Sequence, residues 1–209
     1  MSAHTRIKIC GIRERAGLDA TIDGGADFVG FVHHARSPRH VTISQAEELA
    51  AHLPESISPV GLFVNEAAEV ILSCPFQWIQ LHGDEDESLC QTLAKAGRKI
   101  IRGVHFSAEN VRRWQACDAI EHLLVDGSET GGTGQAFDHE SLIAHLPSKS
   151  RPYLLAGGLD PDNVGAAVHG TRAWGVDVSS GVELIRGRKD PERILDFCAA
   201  VRAADAQSE

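Results

Sequence analysis

The feature that most constrains the fold of this chain is a regular alternation of short apolar runs with helix-forming segments. The unit recurs roughly every 20 to 30 residues, eight times along the chain, and each apolar run ends in turn residues. Strands that alternate with helices pair in parallel, because each helix carries the chain back across the sheet. The pattern therefore predicts an α/β protein built from eight strand-helix units.

The predicted strands are residues 7–10, 28–32, 60–64, 77–81, 99–104, 122–125, 153–156 and 173–178. Polar residues that favour helix N-termini set most of the predicted helix starts, and proline at a first helical position sets two. The predicted helices are 14–22, one capped by Ser44 through Ala51, 66–72 capped by Asn65, one from Asp84 to near Gly97, one capped by Ser107, 138–145, one opened by Asp160-Pro161, and one opened by Asp190-Pro191 through Val201.

Two architectures accommodate such units, a closed barrel and a doubly wound open sheet. The chain lacks the G-x-G-x-x-G fingerprint of the dinucleotide-binding open sheets. Small residues suited to phosphate binding follow units seven and eight, where closed barrels commonly bind phosphate. The prediction is an α/β protein with a single (β/α)₈ TIM barrel over residues 1–209.

The stretch 153–183 contains the predicted phosphate site. Gly157 and Gly158 follow the seventh strand, and Ser180 and Gly181 follow the eighth. Backbone N–H groups in two adjacent loops without bulky side chains can converge on one anion. Either pair alone is ordinary turn chemistry. Their occurrence in consecutive units favours an anion site.

Two candidate catalytic residues end strands on either side of that site. Cys10 ends strand one, which neighbours strand eight in a closed barrel, and Asp126 follows strand six, which neighbours strand seven. A thiolate and a carboxylic acid across a site suit removal of one proton and delivery of another. The alternatives are a small buried cysteine and a turn aspartate, the latter about equally expected from the residues alone.

Strand periodicity adds a predicted ion pair below Cys10. Lys8 points to the same side as Cys10, and a buried ammonium needs a partner, for which Asp177 on the adjacent strand eight is the candidate. We expect the pair to order the site and to favour the thiolate; a purely structural pair is the alternative.

Other polar residues fall at the same end of the predicted barrel. His82 follows strand four, and Arg36 and Arg39 lie on a long loop after strand two, where a guanidinium can clamp a carboxylate. Two solvated loop arginines are the usual outcome. Glycine-rich residues 131–134 are a candidate hinge for a lid.

The composition of the chain limits which classes of binding partner and site are expected. With 20 basic and 29 acidic residues the net charge is −9, which favours neither nucleic acid nor an acidic membrane. No apolar run suits a membrane span or signal peptide, so a cytoplasmic location is expected. The five cysteines are widely spaced, and the eleven histidines show no metal-ligand spacing, so neither a disulfide framework nor a metal site is predicted.

Seven motifs together make the chain resemble the phosphoribosylanthranilate isomerases of tryptophan biosynthesis. They are KICGI (8–12), GADFVGFV with SPRHV (within 25–41), VGLFVN (60–65), QLHGDE (80–85), GGTGQAFD (131–138), LAGGLDPDNV (155–164) and DVSSGVE (177–183). The resemblance spans nearly the whole chain. It implies a (β/α)₈ barrel that performs an Amadori rearrangement of a phosphosugar, N-(5-phosphoribosyl)anthranilate, without cofactor or metal.

The resemblance also implies residue roles. Cys10 is expected to be the general base at C2 of the sugar, Asp126 the general acid at the ring oxygen, and Arg39 the partner of the anthranilate carboxylate. The implied phosphate ligands are Gly157, Gly158, Ser180 and Gly181, and His82 and Asp177 are further predicted substrate-binding residues.

Two rival functions stay open at this point. A histidine-pathway aminoaldose isomerase runs the same type of reaction, but it is expected to have an aspartate at the position of Cys10. A barrel that binds a phosphorylated ligand without turnover has no particular use for a thiol and a carboxylate across its mouth. The sequence leaves both a monomer and a homodimer open.

Overall fold

The eight strands close into a parallel barrel in which each strand pairs with the next and the last pairs with the first. A computed structural model describes residues 4–127, 151–171 and 173–207. The strands are β1 Arg6–Cys10, β2 Phe28–Val32, β3 Ser58–Phe63, β4 Trp78–Leu81, β5 Lys99–His105, β6 His122–Asp126, β7 Tyr153–Ala156 and β8 Gly175–Val178. The predicted (β/α)₈ barrel is confirmed.

Helices connect successive strands on the outside of the barrel. They are α1 Arg15–Asp23, α2 Ile43–Ala50, α3 Ala68–Leu72, α4 Glu87–Lys95, α5 Ala108–Gln115, α6 Val164–Thr171 and α7 Pro191–Ala206. After β8 come a 3₁₀ turn, Ser180–Val182, and a short antiparallel hairpin of β9 Glu183–Ile185 and β10 Arg188–Lys189. The predicted helix 138–145 and the candidate hinge 131–134 lie outside the described residues.

Four predicted helix starts are wrong, and in three of them the predicted cap residue is not the residue that precedes the helix. Thr42, not Ser44, caps α2: its hydroxyl accepts from Gln45 N–H, and the Gln45 side chain accepts from Thr42 N–H. Asp86, not Asp84, caps α4 by accepting from Leu89 N–H at 2.9 Å. Ser107 and Asp190 cap their helices as predicted.

The third wrong cap, Asn65, takes part in a contact between two loops. Its backbone adopts a φ of 55°, and its side-chain oxygen accepts from Asp84 N–H at 2.7 Å. Its own N–H donates to Glu85, also at 2.7 Å, so α3 starts only at Ala68. Both predicted cap residues, Asn65 and Asp84, therefore fasten the loops after β3 and β4 to each other.

The Asp160-Pro161 pair also starts a turn before it starts a helix. Asp160 accepts from the N–H groups of Asp162 and Asn163, and α6 begins at Val164. A side chain that caps this intervening turn explains why the predicted helix start is early.

The apolar core has an outer and an inner part. The larger part fills the space between the strands and the helices. The inner part fills the lower barrel with side chains from alternate strand positions: Phe28, Val60, Ile101, Leu124, Leu154 and Ala156. Below them His122 stacks between two indoles, 5.3 Å from the Trp78 ring and 4.0 Å from the Trp174 ring, centroid to centroid. The closed lower barrel leaves the opposite, C-terminal end for chemistry.

All five cysteines are free and buried. Within the described ranges, no helix combines the length and the apolar character that crossing a bilayer requires.

Candidate active site

The C-terminal ends of the strands form a barrel mouth in which polar side chains replace the apolar filling below. Cys10 ends β1 and is 4% exposed, packed against Val32 and Leu62. Asp126 ends β6 with a side chain 19% exposed. Both predicted catalytic residues therefore lie at this end, on the strands that flank β7 and β8.

The ion pair predicted below Cys10 is present. Lys8 and Asp177 are register partners on β1 and β8, and Lys8 Nζ donates to Asp177 Oδ1 at 2.7 Å. Lys8 is fully buried and Asp177 is 8% exposed. Burial alone lowers the pKa of Lys8, but the charges and hydrogen bonds of Asp177 and Cys10 outweigh it and hold that pKa above its usual value. Lys8 is therefore a cation at neutral pH.

A glycine makes room for this cation beside the thiol. A Cβ atom on Gly30 would lie 2.9 Å from Cys10 Sγ and 3.1 Å from Lys8 Nζ. Any larger residue on β2 at this level would displace the ammonium from the sulfur. The chain thus places a positive charge within reach of the thiol.

Burial sets the overall direction of the Cys10 pKa, although the Lys8–Asp177 pair acts on the thiol in the predicted direction, towards the thiolate. Burial raises the pKa of the Cys10 thiol, Asp177 raises it further, and the charges of Lys8 and Lys189 lower it without cancelling the rise. The cations limit the cost of ionising a buried thiol. In the free protein the thiol form predominates at neutral pH.

His82 lies between a buried amide and the carboxylate of Asp126. Its Nδ1 is 2.9 Å from Gln80 Nε2, and its Nε2 is 3.9 Å from Asp126 Oδ2. Burial lowers the pKa of His82, against the opposing charge of Asp126. In the neutral ring, Nδ1 accepts from the amide, so the proton stands on Nε2, toward Asp126.

The position of His82 depends on residues that the sequence did not identify. A Cβ atom on Gly103 would overlap Nδ1 of His82, so β5 must have glycine there. Arg102 fastens the following loop: its Nη2 donates to Gly83 O at 2.7 Å, and its Nη1 lies 3.3 Å from Glu85. Glu85 in turn accepts from Gly83 N–H. No local pattern marks these residues, because each acts on a neighbouring strand or loop.

Arg39 reaches the end of β1 from the loop after β2. A Cβ atom on Gly11, the residue after Cys10, would lie 2.6 Å from Arg39 Cδ. The guanidinium forms two hydrogen bonds with Glu183, from Nε at 2.6 Å and from Nη2 at 2.9 Å. Arg36 is exposed on the same loop. The sequence pattern predicts a role for Arg39 but none for Glu183, which is 144 residues away.

The two predicted phosphate loops lie against each other. Gly157 and Gly158 have φ values of 95° and 68°, which other residues rarely adopt. A Cβ atom on Gly181 would overlap the carbonyl oxygen of Leu159, so glycine allows the loop after β8 to touch the loop after β7. Ser180 is exposed at the start of the 3₁₀ turn. These loops offer a shared backbone surface beside the catalytic candidates.

No three His, Cys, Asp or Glu side chains in the described parts of the chain are grouped as a metal site would need.

Comparison with known proteins identifies the family. The family model described as N-(5'phosphoribosyl)anthranilate (PRA) isomerase matches residues 7–200. The chain belongs to this family. An N-(5'-phosphoribosyl)anthranilate isomerase from Paracoccus denitrificans is 44% identical over 210 residues, covering 94% of this chain and 97% of the relative.

Solved structures of phosphoribosylanthranilate isomerases share the fold. The Thermotoga maritima enzyme superimposes with a TM-score of 0.87 at 34% identity, covering 95% of this chain and 99% of that one. A phosphoribosyl anthranilate isomerase in complex with reduced 1-(o-carboxyphenylamino)-1-deoxyribulose 5-phosphate gives a TM-score of 0.84 at 34% identity, with the same coverage.

Membership of the phosphoribosylanthranilate isomerase family confirms the predicted isomerase activity in tryptophan biosynthesis. It decides against both the histidine-pathway isomerase and the barrel without turnover.

Proposed function

We propose that the barrel mouth carries out the Amadori rearrangement of N-(5'-phosphoribosyl)anthranilate with Asp126 as general acid and Cys10 as general base. The observation that carries this assignment is the placement of the two residues at the ends of β6 and β1, on either side of the adjoining loops after β7 and β8. A substrate held by its phosphate on those loops has the acid on one side and the base on the other.

The acid acts first. Protonated Asp126 donates its proton to the ring oxygen, the bond between C1 and that oxygen breaks, and the anthranilate nitrogen supplies the electron pair that forms a Schiff base. Asp126 is left as a carboxylate and regains a proton before the next turnover. Neutral His82, with its N–H toward Asp126, supports this cycle by donating to the carboxylate once the proton has left.

The base then acts at C2. The Cys10 thiolate removes the C2 proton, the electrons of that bond form the C1–C2 double bond of an enaminol, and the π electrons of the Schiff base return to the anthranilate nitrogen. The enaminol then tautomerises to the ketose 1-(2-carboxyphenylamino)-1-deoxyribulose 5-phosphate, as its C2 hydroxyl loses a proton and C1 gains one, and the Cys10 thiol gives up its proton before the next turnover. Because the pKa of Cys10 is raised by burial, kcat/KM is expected to increase with pH as the thiol of the free enzyme ionises. Lys8 stays charged and stabilises the thiolate beside it.

Binding falls to the residues around this pair. Backbone groups of Gly157, Gly158, Ser180 and Gly181 hold the phosphate, and Arg39 binds the anthranilate carboxylate. Asp177 uses Oδ1 for Lys8, and among the described residues its Oδ2 has no hydrogen-bond partner, which leaves it for a substrate hydroxyl. No cofactor or metal takes part in these steps.

We also propose a cytoplasmic location, and an assembly that is either a monomer or a homodimer. Light scattering of the purified protein distinguishes the two assembly states.

The test of the catalytic assignment follows the decay of anthranilate-type fluorescence of fresh phosphoribosylanthranilate. Cys10→Ala and Asp126→Asn are each expected to lower kcat by about 10²- to 10⁴-fold, the usual contribution of a general acid or base. Matched controls are Cys117→Ala, another buried cysteine, and Asp118→Asn, an aspartate fully exposed to solvent.

The controls should retain wild-type rates, and circular dichroism should show all four variants folded. A Cys10→Ala enzyme that keeps more than a tenth of the wild-type kcat would overturn the base assignment, and the same result for Asp126→Asn would overturn the acid assignment.

A further inference from the structure

The Glu183 carboxylate is buried between two cations. Its side chain is 4% exposed, and each of its oxygens accepts twice: Oε1 from Arg39 Nε at 2.6 Å and Lys189 Nζ at 3.3 Å, Oε2 from Arg39 Nη2 at 2.9 Å and Gly187 N–H at 3.0 Å. Burial alone raises the pKa of Glu183, but these donors together hold it below its usual range. The group is therefore an anion with every lone pair in use.

The hydrogen bonds to Glu183 leave one edge of Arg39 available. They use Nε and Nη2, the side edge of the guanidinium. The end edge, made by Nη1 and the second N–H of Nη2, has no partner among the described residues. A guanidinium binds a carboxylate through two parallel hydrogen bonds, and the end edge has the geometry for one such pair.

The charges of the cluster match a second carboxylate. Arg39 and Lys189 contribute two positive charges and Glu183 one negative charge, so the cluster carries a net charge of +1. A ligand carboxylate on the free edge of Arg39 would make it neutral. Without Glu183, two cations would stand together in a partly buried place, where like charges repel.

The hairpin of β9 and β10 connects this cluster to the rest of the mouth. Glu183 follows the 3₁₀ turn that carries Ser180 and Gly181, and Lys189 Nζ donates to the carbonyl of Ser179 at 2.7 Å. The Ser179 hydroxyl donates to the carbonyl of Cys10 at 3.1 Å. The arginine, the phosphate loop and the end of β1 are therefore held in one hydrogen-bonded unit.

We propose that Glu183 is a positioning residue that sets the specificity of the site for an aromatic carboxylate: it fixes the side edge of Arg39 so that the end edge is ready for the anthranilate carboxyl group. This inference rests on the proposed role of Arg39 as the carboxylate partner. A preorganised arginine has less freedom to lose when the ligand binds, which is why the effect falls on affinity and not on the proton transfers.

The experiment compares two ligands that differ by the carboxyl group alone. They are reduced 1-(o-carboxyphenylamino)-1-deoxyribulose 5-phosphate and the same compound with a plain phenyl ring. Calorimetry gives a Kd for each, and the ratio of the two measures carboxylate selectivity. The variants are wild type, Arg39→Ala, Glu183→Gln, and Glu14→Gln as the control, since Glu14 contacts the same hairpin through an exposed pair with Arg188 at 4.0 Å.

Arg39→Ala should abolish the selectivity. Glu183→Gln should lower it about tenfold while leaving the Kd of the phenyl ligand unchanged, because the neutral amide still offers Arg39 one accepting oxygen but its NH2 group cannot accept, so the guanidinium is held less firmly. Glu14→Gln should match wild type. With substrate, Glu183→Gln should raise KM more than it lowers kcat.

Equal weakening of both ligands by Glu183→Gln would make Glu183 a structural residue and overturn the inference, as would selectivity equal to that of wild type. If Glu183→Gln does not fold, Glu183→Asp is measured in the same way, and unchanged selectivity again overturns it. Wild-type selectivity in Arg39→Ala would instead refute the carboxylate role in the proposed function. If Arg39→Ala loses selectivity and Glu183→Gln keeps it, the role of Glu183 is refuted and the role of Arg39 stands.

Discussion

The two ends of the barrel interior are built from opposite kinds of residue. At the N-terminal end large rings fill the space: Phe28 packs edge-on against Trp78, and His122 stacks between Trp78 and Trp174. At the mouth, two positions further along β2 from Phe28, stands Gly30, and two positions further along β5 from Ile101 stands Gly103. The same strands therefore place large side chains in the lower barrel and glycines at the mouth.

The space that the glycines leave is occupied by polar groups. Lys8 and Cys10 lie against Gly30, and the His82 ring lies against Gly103. Burying polar and charged groups costs stability that apolar filling would supply. The lower end therefore stabilises the barrel. The mouth is less stabilising, because it holds groups that ionise and donate hydrogen bonds.

The largest effect expected from this contrast is that of Lys8→Met. Removing one partner of a buried pair leaves Asp177 as an uncompensated charge, and the free energy of unfolding should fall by roughly 3–5 kcal/mol. Arg6→Met, two residues earlier on β1, removes an ion pair with Asp27 whose arginine is 51% exposed. It should cost no more than about 1 kcal/mol. Urea denaturation of both variants gives the comparison.

The same variant tests the electrostatic role of Lys8. The charge of Lys8 lowers the pKa of Cys10, so without it that pKa rises further, and the increase of kcat/KM with pH should move to higher pH. A pH profile of Lys8→Met that coincides with that of wild type would leave the pair a structural role only.

A smaller effect is expected from filling the mouth at Gly103. The methyl group of Gly103→Ala would overlap His82 Nδ1, displace the ring from Gln80, and lower kcat by about 10- to 100-fold through misplacement at the site. The loss of unfolding free energy should stay near 1–3 kcal/mol.

Gly165→Ala is the matched control for this substitution. It lies in α6, where the nearest atom to an added Cβ is 4.0 Å away, so it should leave kcat unchanged and slightly stabilise the helix. Equal kcat values for Gly103→Ala and wild type would mean that the mouth tolerates filling as well as the lower end does.

The sequence predicts the neighbours of a residue correctly where the strand period or the closed topology determines them. The Lys8–Asp177 pair followed from strand alternation and from the closure of β1 on β8, and the two residues are direct register partners. The strands followed from their apolar runs, because burial on both faces leaves little choice of composition.

Predictions from the sequence were wrong or missing where a contact between loops overrides a local rule. Asn65 and Asp84 have the composition of caps, yet they bind each other, because the loops after β3 and β4 meet in space. Glu183 was not assigned a role, because its partner Arg39 lies on a distant loop. Geometry between loops is set by the assembled barrel, and no period in the sequence encodes it.

The smallest expected effect concerns His122 at the lower end and depends on pH. Burial between the indoles lowers its pKa to about 4; Glu121 opposes this shift, and Arg151 and Lys99 reinforce it. As pH falls below the ordinary pKa of histidine, His122 becomes protonated in the unfolded chain but stays neutral in the folded chain until about pH 4. The free energy of unfolding of the wild type therefore declines over this pH range.

A phenylalanine at position 122 can stack between the same indoles and has no group that becomes protonated. Relative to wild type, His122→Phe should therefore gain about 1–2 kcal/mol of unfolding free energy between pH 7 and pH 5. Its kcat at pH 7 should stay unchanged, because the lower end takes no part in the chemistry. His52→Phe, at an exposed site, is the matched control for replacing a histidine by a phenylalanine. Urea titrations at each pH measure both variants. A constant difference for His122→Phe would show that this ring accepts a proton in the folded barrel, and a fall in kcat would show that the two ends are coupled.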